Sequence, residues 1–131
     1  MKNQKNWIIY KAVSATTGRV YVGCTSLTLT QRIALHVSAA FPSELATSRK
    51  SNSPFHNAIR ELGIDDFDFE VIDETDDELF ALEVLEPSYI ELLGAYTHGY
   101  NACKGGYGKN GYVASRETLK KRSNSMKKAI Y

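Results

Sequence analysis

The order of elements legible in the sequence predicts an α+β domain: a small central antiparallel sheet of three strands flanked by helices. Three observations carry this. Two β-rich runs, residues 7–13 and 19–24, stand either side of a short turn segment. A third run, residues 67–73, alternates apolar and acidic side chains. Between and after these runs lie segments whose apolar residues recur at helical spacing and whose ends carry capping signals.

Trp7-Ile8-Ile9-Tyr10-Lys11-Ala12-Val13 is dense in aromatic and β-branched residues, the composition of a strand. Ser14-Ala15-Thr16-Thr17-Gly18 is turn chemistry, and Arg19-Val20-Tyr21-Val22-Gly23-Cys24 repeats the strand composition, so the two runs predict a hairpin. Thr28 and Gln31 form a capping box for a first helix, with Leu29, Ile33, Val37 and Ala40 as its apolar stripe and Phe41-Pro42 as its end. Residues 43–53 are polar and serine-rich, hence a loop. Pro54 suits the first turn of a second helix that runs to Leu62 and stops at Gly63. Phe67-Asp68-Phe69-Glu70-Val71-Ile72-Asp73 has the period of a half-buried strand. A third helix is expected over residues 76–93, with Pro87 kinking or splitting it and Gly94 ending it. Tyr100-Asn101-Ala102-Cys103 reads as a short edge strand. The glycine-rich residues 104–111 read as a loop, and Ser115 can cap a last, basic helix over residues 116–128.

With 131 residues and 43% hydrophobic side chains, the chain has enough apolar material for one packed domain. Its two cysteines, Cys24 and Cys103, lie in no ligand-type pair, which argues against a zinc site or a disulfide framework and for reduced thiols in a cytosolic setting. No apolar stretch approaches a membrane span or a signal-peptide core. The net charge of +1 conceals an asymmetry: residues 1–103 carry 8 Lys/Arg and 14 Asp/Glu, whereas residues 104–131 carry 8 Lys/Arg and 1 Glu. A basic C-terminal segment behind an acidic body points to a polyanion as partner.

The side chains suited to chemistry are few. Arg32 and His36 are one helical turn apart, off the apolar stripe, and combine a permanent cation for phosphate oxygens with a proton carrier. Tyr10 and Tyr21 sit on the two hairpin strands. Glu86 lies in an apolar stretch, where a carboxylate must be exposed, paired or bound to a metal; Glu83 competes for that role. Asn101 adds a neutral amide beside the expected edge strand.

The order of these residues is what distinguishes them. Ile8-Ile9-Tyr10, then ten residues, Tyr21-Val22-Gly23, Arg32 and His36 on a helix, Glu86 followed by Tyr89-Ile90, and Gly99-Tyr100-Asn101 together resemble the GIY-YIG nuclease family over about residues 7–103. The helix around Ser53-Pro54-Phe55-His56-Asn57-Ala58-Ile59-Arg60 also resembles the family, and Lys120-Lys121-Arg122-Ser123 resembles the start of the linker in phage homing endonucleases. The first motif departs from the pattern in having Ile8 where the family has glycine. Relatives with a second histidine place it before the second helix, where this chain has Asn52, with His56 following later. Pro87 directly after Glu86 is a further departure.

The resemblance implies a GIY-YIG fold and a catalytic domain over residues 1–103, with residues 104–131 as loop and helical linker toward a DNA-binding region. It implies hydrolysis of DNA phosphodiesters with one Mg²⁺ or Mn²⁺ on Glu86, and a homing-type enzyme of phage or mobile-element origin in a bacterial or phage-infected cytoplasm. Arg32 would bind the scissile phosphate, Tyr10 or Tyr21 would activate water through a lowered pKa, His36 would assist the relay and Asn101 would orient its neighbours. Lys104, Lys109, Arg116, Lys120, Lys121 and Arg122 would contact double-stranded DNA. No membrane or small-molecule cofactor is expected, and a monomer is. Specificity is expected to reside in further C-terminal sequence. The other readings are a structure-selective or repair nuclease with the same site, and a non-catalytic DNA-binding module that uses the basic tail.

Overall fold

A computed structural model describes residues 5–43 and 50–104. The expected basic helix and its Arg116, Lys120, Lys121 and Arg122, together with Lys109, lie outside the described residues. The described elements run β1 (Trp7–Ser14), β2 (Val20–Thr25), α1 (Leu29–Ala40), α2 (Pro54–Leu62), a 3-10 turn (Ile64–Asp66), β3 (Phe67–Thr75), α3 (Glu78–Phe80), a π-helical segment (Ala81–Leu85) and α4 (Glu86–Leu93). The three strands form one antiparallel sheet in the order β2-β1-β3. The α+β class, the hairpin and the first two helices are as the sequence predicts.

The caps operate as their residue types dictate. Thr28 Oγ1 accepts from the Gln31 amide at 3.1 Å and Gln31 Oε1 accepts from the Thr28 amide at 3.1 Å, so two orphan donors at the α1 N-terminus are satisfied reciprocally. Ser53 caps α2 through the His56 amide at 3.2 Å, and Asp77 caps α3 through the Phe80 amide at 3.1 Å.

Each face of the sheet carries its own core. On one side Ile9 and Val22 pack with Ala81, Leu85, Tyr89 and Ile90; on the other Ala12 packs with Ala40, Phe55, Ala58, Ile59 and Phe67. A bulge joins the two regimes. Ile9 pairs with Asp73 but Tyr10 pairs with Val71, which leaves Ile72 unopposed. Ile72 and Asp73 then both turn to the α4 side, where Tyr89 Oη donates to Asp73 Oδ2 at 2.9 Å.

Three expectations are corrected. The third helix begins at Glu78 rather than at residue 76; it is split near Pro87 as expected, but into three segments. Pro87 has no amide to donate, and the preceding turn widens so that the Glu86 amide bonds to the Ala81 carbonyl, five residues back. The apolar stripe of α1 is only partly its inward face: Leu29, Ile33 and Val37 are half-buried, while His36 and Ala40 are the buried residues. Residues 100–103 form no strand. In its place the Tyr100 amide donates to the Val20 carbonyl at 2.9 Å, and the Asn101 side chain takes both backbone groups of Val22 at 2.8 Å each. A carboxamide has the donor and acceptor of a peptide group, so Asn101 substitutes for one rung of a ladder on the free edge of β2.

Candidate active site

Tyr10 is the centre of the cluster. Its ring is fully buried and lies over Gly23, its register partner on β2, where any Cβ would collide with the phenol. Glycine here makes the room that the aromatic ring fills. From α1, Arg32 Nε donates to Tyr10 Oη at 3.3 Å, and one turn on His36 Nε2 stands 2.6 Å from the same oxygen. Tyr21 lies beside Tyr10 with ring centroids 6.1 Å apart. Phe55, the second residue of α2, stacks on Tyr21 at 4.0 Å with the planes 5° apart and meets His36 edge-on at 4.9 Å.

His56 extends the group outward. His36 Nδ1 and His56 Nε2 are 2.8 Å apart, and His56 Nδ1 is 2.6 Å from Ser51 Oγ. Arg60 holds the Ser51 loop in place: Nη1 donates to the Ala40 carbonyl at 3.0 Å and Nη2 to the Ser51 carbonyl at 2.7 Å, with a further bond to Asn57 Oδ1. Glu86 stands where the π-helical segment meets α4. Its carboxylate acts electrostatically on Tyr21 and Cys24, and Arg32 acts on it.

Burial dominates the protonation states. It holds the Tyr10 phenol far above the ordinary range, reinforced by Tyr21 and opposed by Arg32. Tyr21 is raised by burial against Arg32, with Glu86 adding to the rise. The expected lowering of a phenol pKa is therefore reversed in the protein alone, because desolvation outweighs the one nearby cation. Burial also works against the Arg32 charge, but the two phenols outweigh it and keep Arg32 above its usual value. His36 is pushed down to about 3 by burial, with Arg32 and His56 adding to the effect. His56 is lowered by burial, Arg32 and Arg60. Glu86 is raised to about 7 by burial, partly countered by Arg32, and Cys24 to about 12 by burial and then by Glu86 and Glu78.

The structure thus brings Tyr10, Tyr21, Arg32, His36 and Glu86 into one electrostatically coupled group. Asn101 sits apart from it in role, holding the backbone of Val22 between Tyr21 and Gly23. Lys104 is exposed at the end of the described residues. Sequence reasoning did not single out Phe55 or Ser51, nor give His56 a role. The only signals were an aromatic residue directly after Pro54 and a histidine one turn into a capped helix. Among the described residues no group of three or more His, Cys, Asp or Glu side chains could hold a metal, so an ion at Glu86 would need oxygen ligands from water and substrate.

A phenol pair, a guanidinium, an imidazole and a half-buried carboxylate are thus gathered on a three-stranded α+β scaffold. No protein-family model matches the sequence, and no curated protein does. The fold does have a solved counterpart. A mutant of the catalytic domain of intron endonuclease I-TevI superimposes with a TM-score of 0.62 at 18% identity, covering 76% of this chain and 95% of that one. The chain has the fold of that domain, the GIY-YIG fold expected from the motif order.

Proposed function

We propose that this chain is the catalytic domain of a divalent-metal-dependent DNA endonuclease of homing type; its structural counterpart is named an intron endonuclease. The observation that carries the reading is the convergence of Arg32, Tyr10, Tyr21, His36 and Glu86 from four separate elements onto one cluster. A module that only binds DNA has no use for a half-buried carboxylate in its phosphate site, which phosphate would repel.

Glu86 would hold the ion. Its one desolvated carboxylate suits Mg²⁺ or Mn²⁺, which keep several waters, and the bound cation would neutralise charge developing on the phosphate. Arg32 gives one N–H to Tyr10 and its fork has further donors for phosphate oxygens. Tyr10 stands between Arg32 and His36 and is the phenol with a proton acceptor at hand, which assigns it the role of base, while Tyr21 is stacked on Phe55 and orients. His36 receives the Tyr10 proton over 2.6 Å. Asn101 keeps Val22, and with it Tyr21 and Gly23, in register. The substrate is double-stranded DNA, and Lys104, Lys109, Arg116, Lys120, Lys121 and Arg122 would supply phosphate contacts beyond the acidic body, with the protein acting as a monomer in the cytoplasm. Among the described residues no helix is long and apolar enough to cross a membrane.

Plasmid nicking tests the proposal. Mg²⁺- or Mn²⁺-dependent cleavage, abolished by chelator and by Arg32→Ala or Glu86→Ala, is expected. Equal cleavage by either variant removes the site assignment. Affinity measured against salt with and without residues 112–131 tests the tail: its removal should weaken binding and flatten the salt dependence.

A further inference from the structure

We propose that Tyr10, His36, His56 and Ser51 form a proton wire that carries the Tyr10 phenol proton from the reaction centre to the Ser51 loop. The inference rests on the nuclease reading and assigns His56 and Ser51, which that reading does not use. Four consecutive groups are joined by three short bonds: Tyr10 Oη to His36 Nε2 at 2.6 Å, His36 Nδ1 to His56 Nε2 at 2.8 Å, and His56 Nδ1 to Ser51 Oγ at 2.6 Å. Each imidazole is engaged at both of its nitrogens, the arrangement a relay requires.

The proposal sets the direction outward. Arg32 has only donors, so Tyr10 Oη accepts from Arg32 Nε, and the Tyr10 hydrogen is assigned to His36 Nε2 at 2.6 Å rather than to Tyr21, its other hydrogen-bond neighbour. His36 is then protonated at Nδ1 and donates to His56 Nε2. His56 is protonated at Nδ1 and donates to Ser51 Oγ, which also accepts from the Ser53 amide. In transfer the Tyr10 O–H bond breaks as H–Nε2 forms on His36, and the Nδ1–H of His36 breaks as H–Nε2 forms on His56. The Nδ1–H of His56 passes to Ser51 Oγ, whose original proton leaves to solvent water. Tyr10 becomes a phenolate that accepts from both Arg32 and His36, and it can take the proton of the attacking water. A proton entering from solvent at Ser51 restores the starting tautomers as Tyr10 passes the proton it took to the departing oxygen of the cleaved strand.

A wire also fits the environment. His36 is only 2% exposed and beside a guanidinium, so a stored positive charge there is costly; in a concerted shift His36 stays neutral. His56 is less buried, and Ser51 is half-buried on a loop held by Arg60.

Single-turnover plasmid cleavage with Mg²⁺ by the parent chain, His56→Ala and His56→Gln tests the wire, with thermal melting as the control for folding. Glutamine can hydrogen-bond His36 but cannot relay a proton. Both variants should bind DNA like the parent and cleave on the order of 10- to 100-fold more slowly, and imidazole in the buffer should restore much of the rate of His56→Ala. Parental rates in His56→Gln, or no response of His56→Ala to imidazole, overturns the relay. Nitrogen NMR of the metal-free parent at neutral pH reads the wire without cleavage. Neutral rings protonated at Nδ1 in both His36 and His56 are expected, and Nε2–H on His36 or an imidazolium there refutes the assignment. A parent that shows this signature and cuts no DNA refutes the nuclease reading while leaving the hydrogen-bonded chain intact.

Discussion

The two faces of the sheet are built on different principles. The face under the π-helical segment and α4 is almost wholly apolar, with Ile9, Val22, Ala81 and Leu85 all completely buried and the Tyr89–Asp73 bond as a polar inclusion. The face under α1 and α2 buries a hydrogen-bonded polar chain, Tyr10 to His36 to His56, within a shell of aromatic rings. Burying polar groups is tolerated because each finds a partner: among the described residues no buried side-chain nitrogen or oxygen lacks one. The lesson is a division of labour. One face supplies stability through burial, and the other bonds its polar groups to one another and keeps the His36 imidazole neutral well into the acid range, where water would protonate it.

That division is open to attack from both sides. The largest expected effect falls on the polar face: Arg32→Ala should lower cleavage by about 10²- to 10³-fold or more with a small change in melting temperature. A comparable loss of stability would make Arg32 structural. Leu85→Ala on the apolar face should do the reverse, destabilising by about 2–4 kcal/mol while the folded fraction cuts at the parental rate; denaturant melts beside single-turnover rates check this.

Acid titration sharpens the comparison, because two groups of the site pull in opposite directions. Glu86 has a folded pKa of about 7 against 4.5, so its contribution is complete below 4.5 and is lost as pH rises to 7. His36 has a folded pKa of about 3 against 6.5, so its contribution is complete above 6.5 and is lost as pH falls toward 3. Metal-free stability should therefore peak in the mildly acidic range. Glu86→Gln should remove the decline on the alkaline side and stabilise the neutral-pH protein by roughly 2 kcal/mol, below the full linkage value since the residue keeps some contact with solvent. Urea melts from pH 4 to 8 would show it, and an unchanged slope in Glu86→Gln would mean that burial does not govern this carboxylate. A smaller loss, about 1–3 kcal/mol, is expected for Asn101→Ala, which strips both partners from the Val22 backbone; hydrogen exchange at the Val22 amide should rise with it. The smallest is Leu79→Ser, within about 0.5 kcal/mol, because Leu79 is 66% exposed and belongs to neither core.

Local chemistry was legible in the chain. The Thr28 cap, the start at Pro54, the stops at Gly63 and Gly94, and the alternation along Phe67–Asp73 act within a few residues and need no tertiary partner. The order of Tyr10, Tyr21, Arg32, His36, Glu86 and Asn101 was likewise a property of the sequence, and with it the resemblance that anticipated the fold. What depends on distant partners was not legible. The inward turn of His36 is set by packing against Phe55 and bonding to His56, twenty residues away in sequence. The expected strand at residues 100–103 is absent because one side-chain amide already meets the backbone needs of Val22. Gly99, whose Cβ would collide with the Val20 carbonyl, marks that close approach only once both segments are in place.

The sequence by itself determined the three strands, the first two helices and the order of the candidate site residues, because capping and periodicity are short-range effects. The tertiary structure decided how those groups are charged and joined. Burial raised the phenols that sequence reasoning expected to fall, the widened turn before Pro87 set the position of Glu86, and α2 brought His56 to His36. Desolvation and hydrogen bonds between distant segments exist only after the chain has packed, so no local pattern could have announced them.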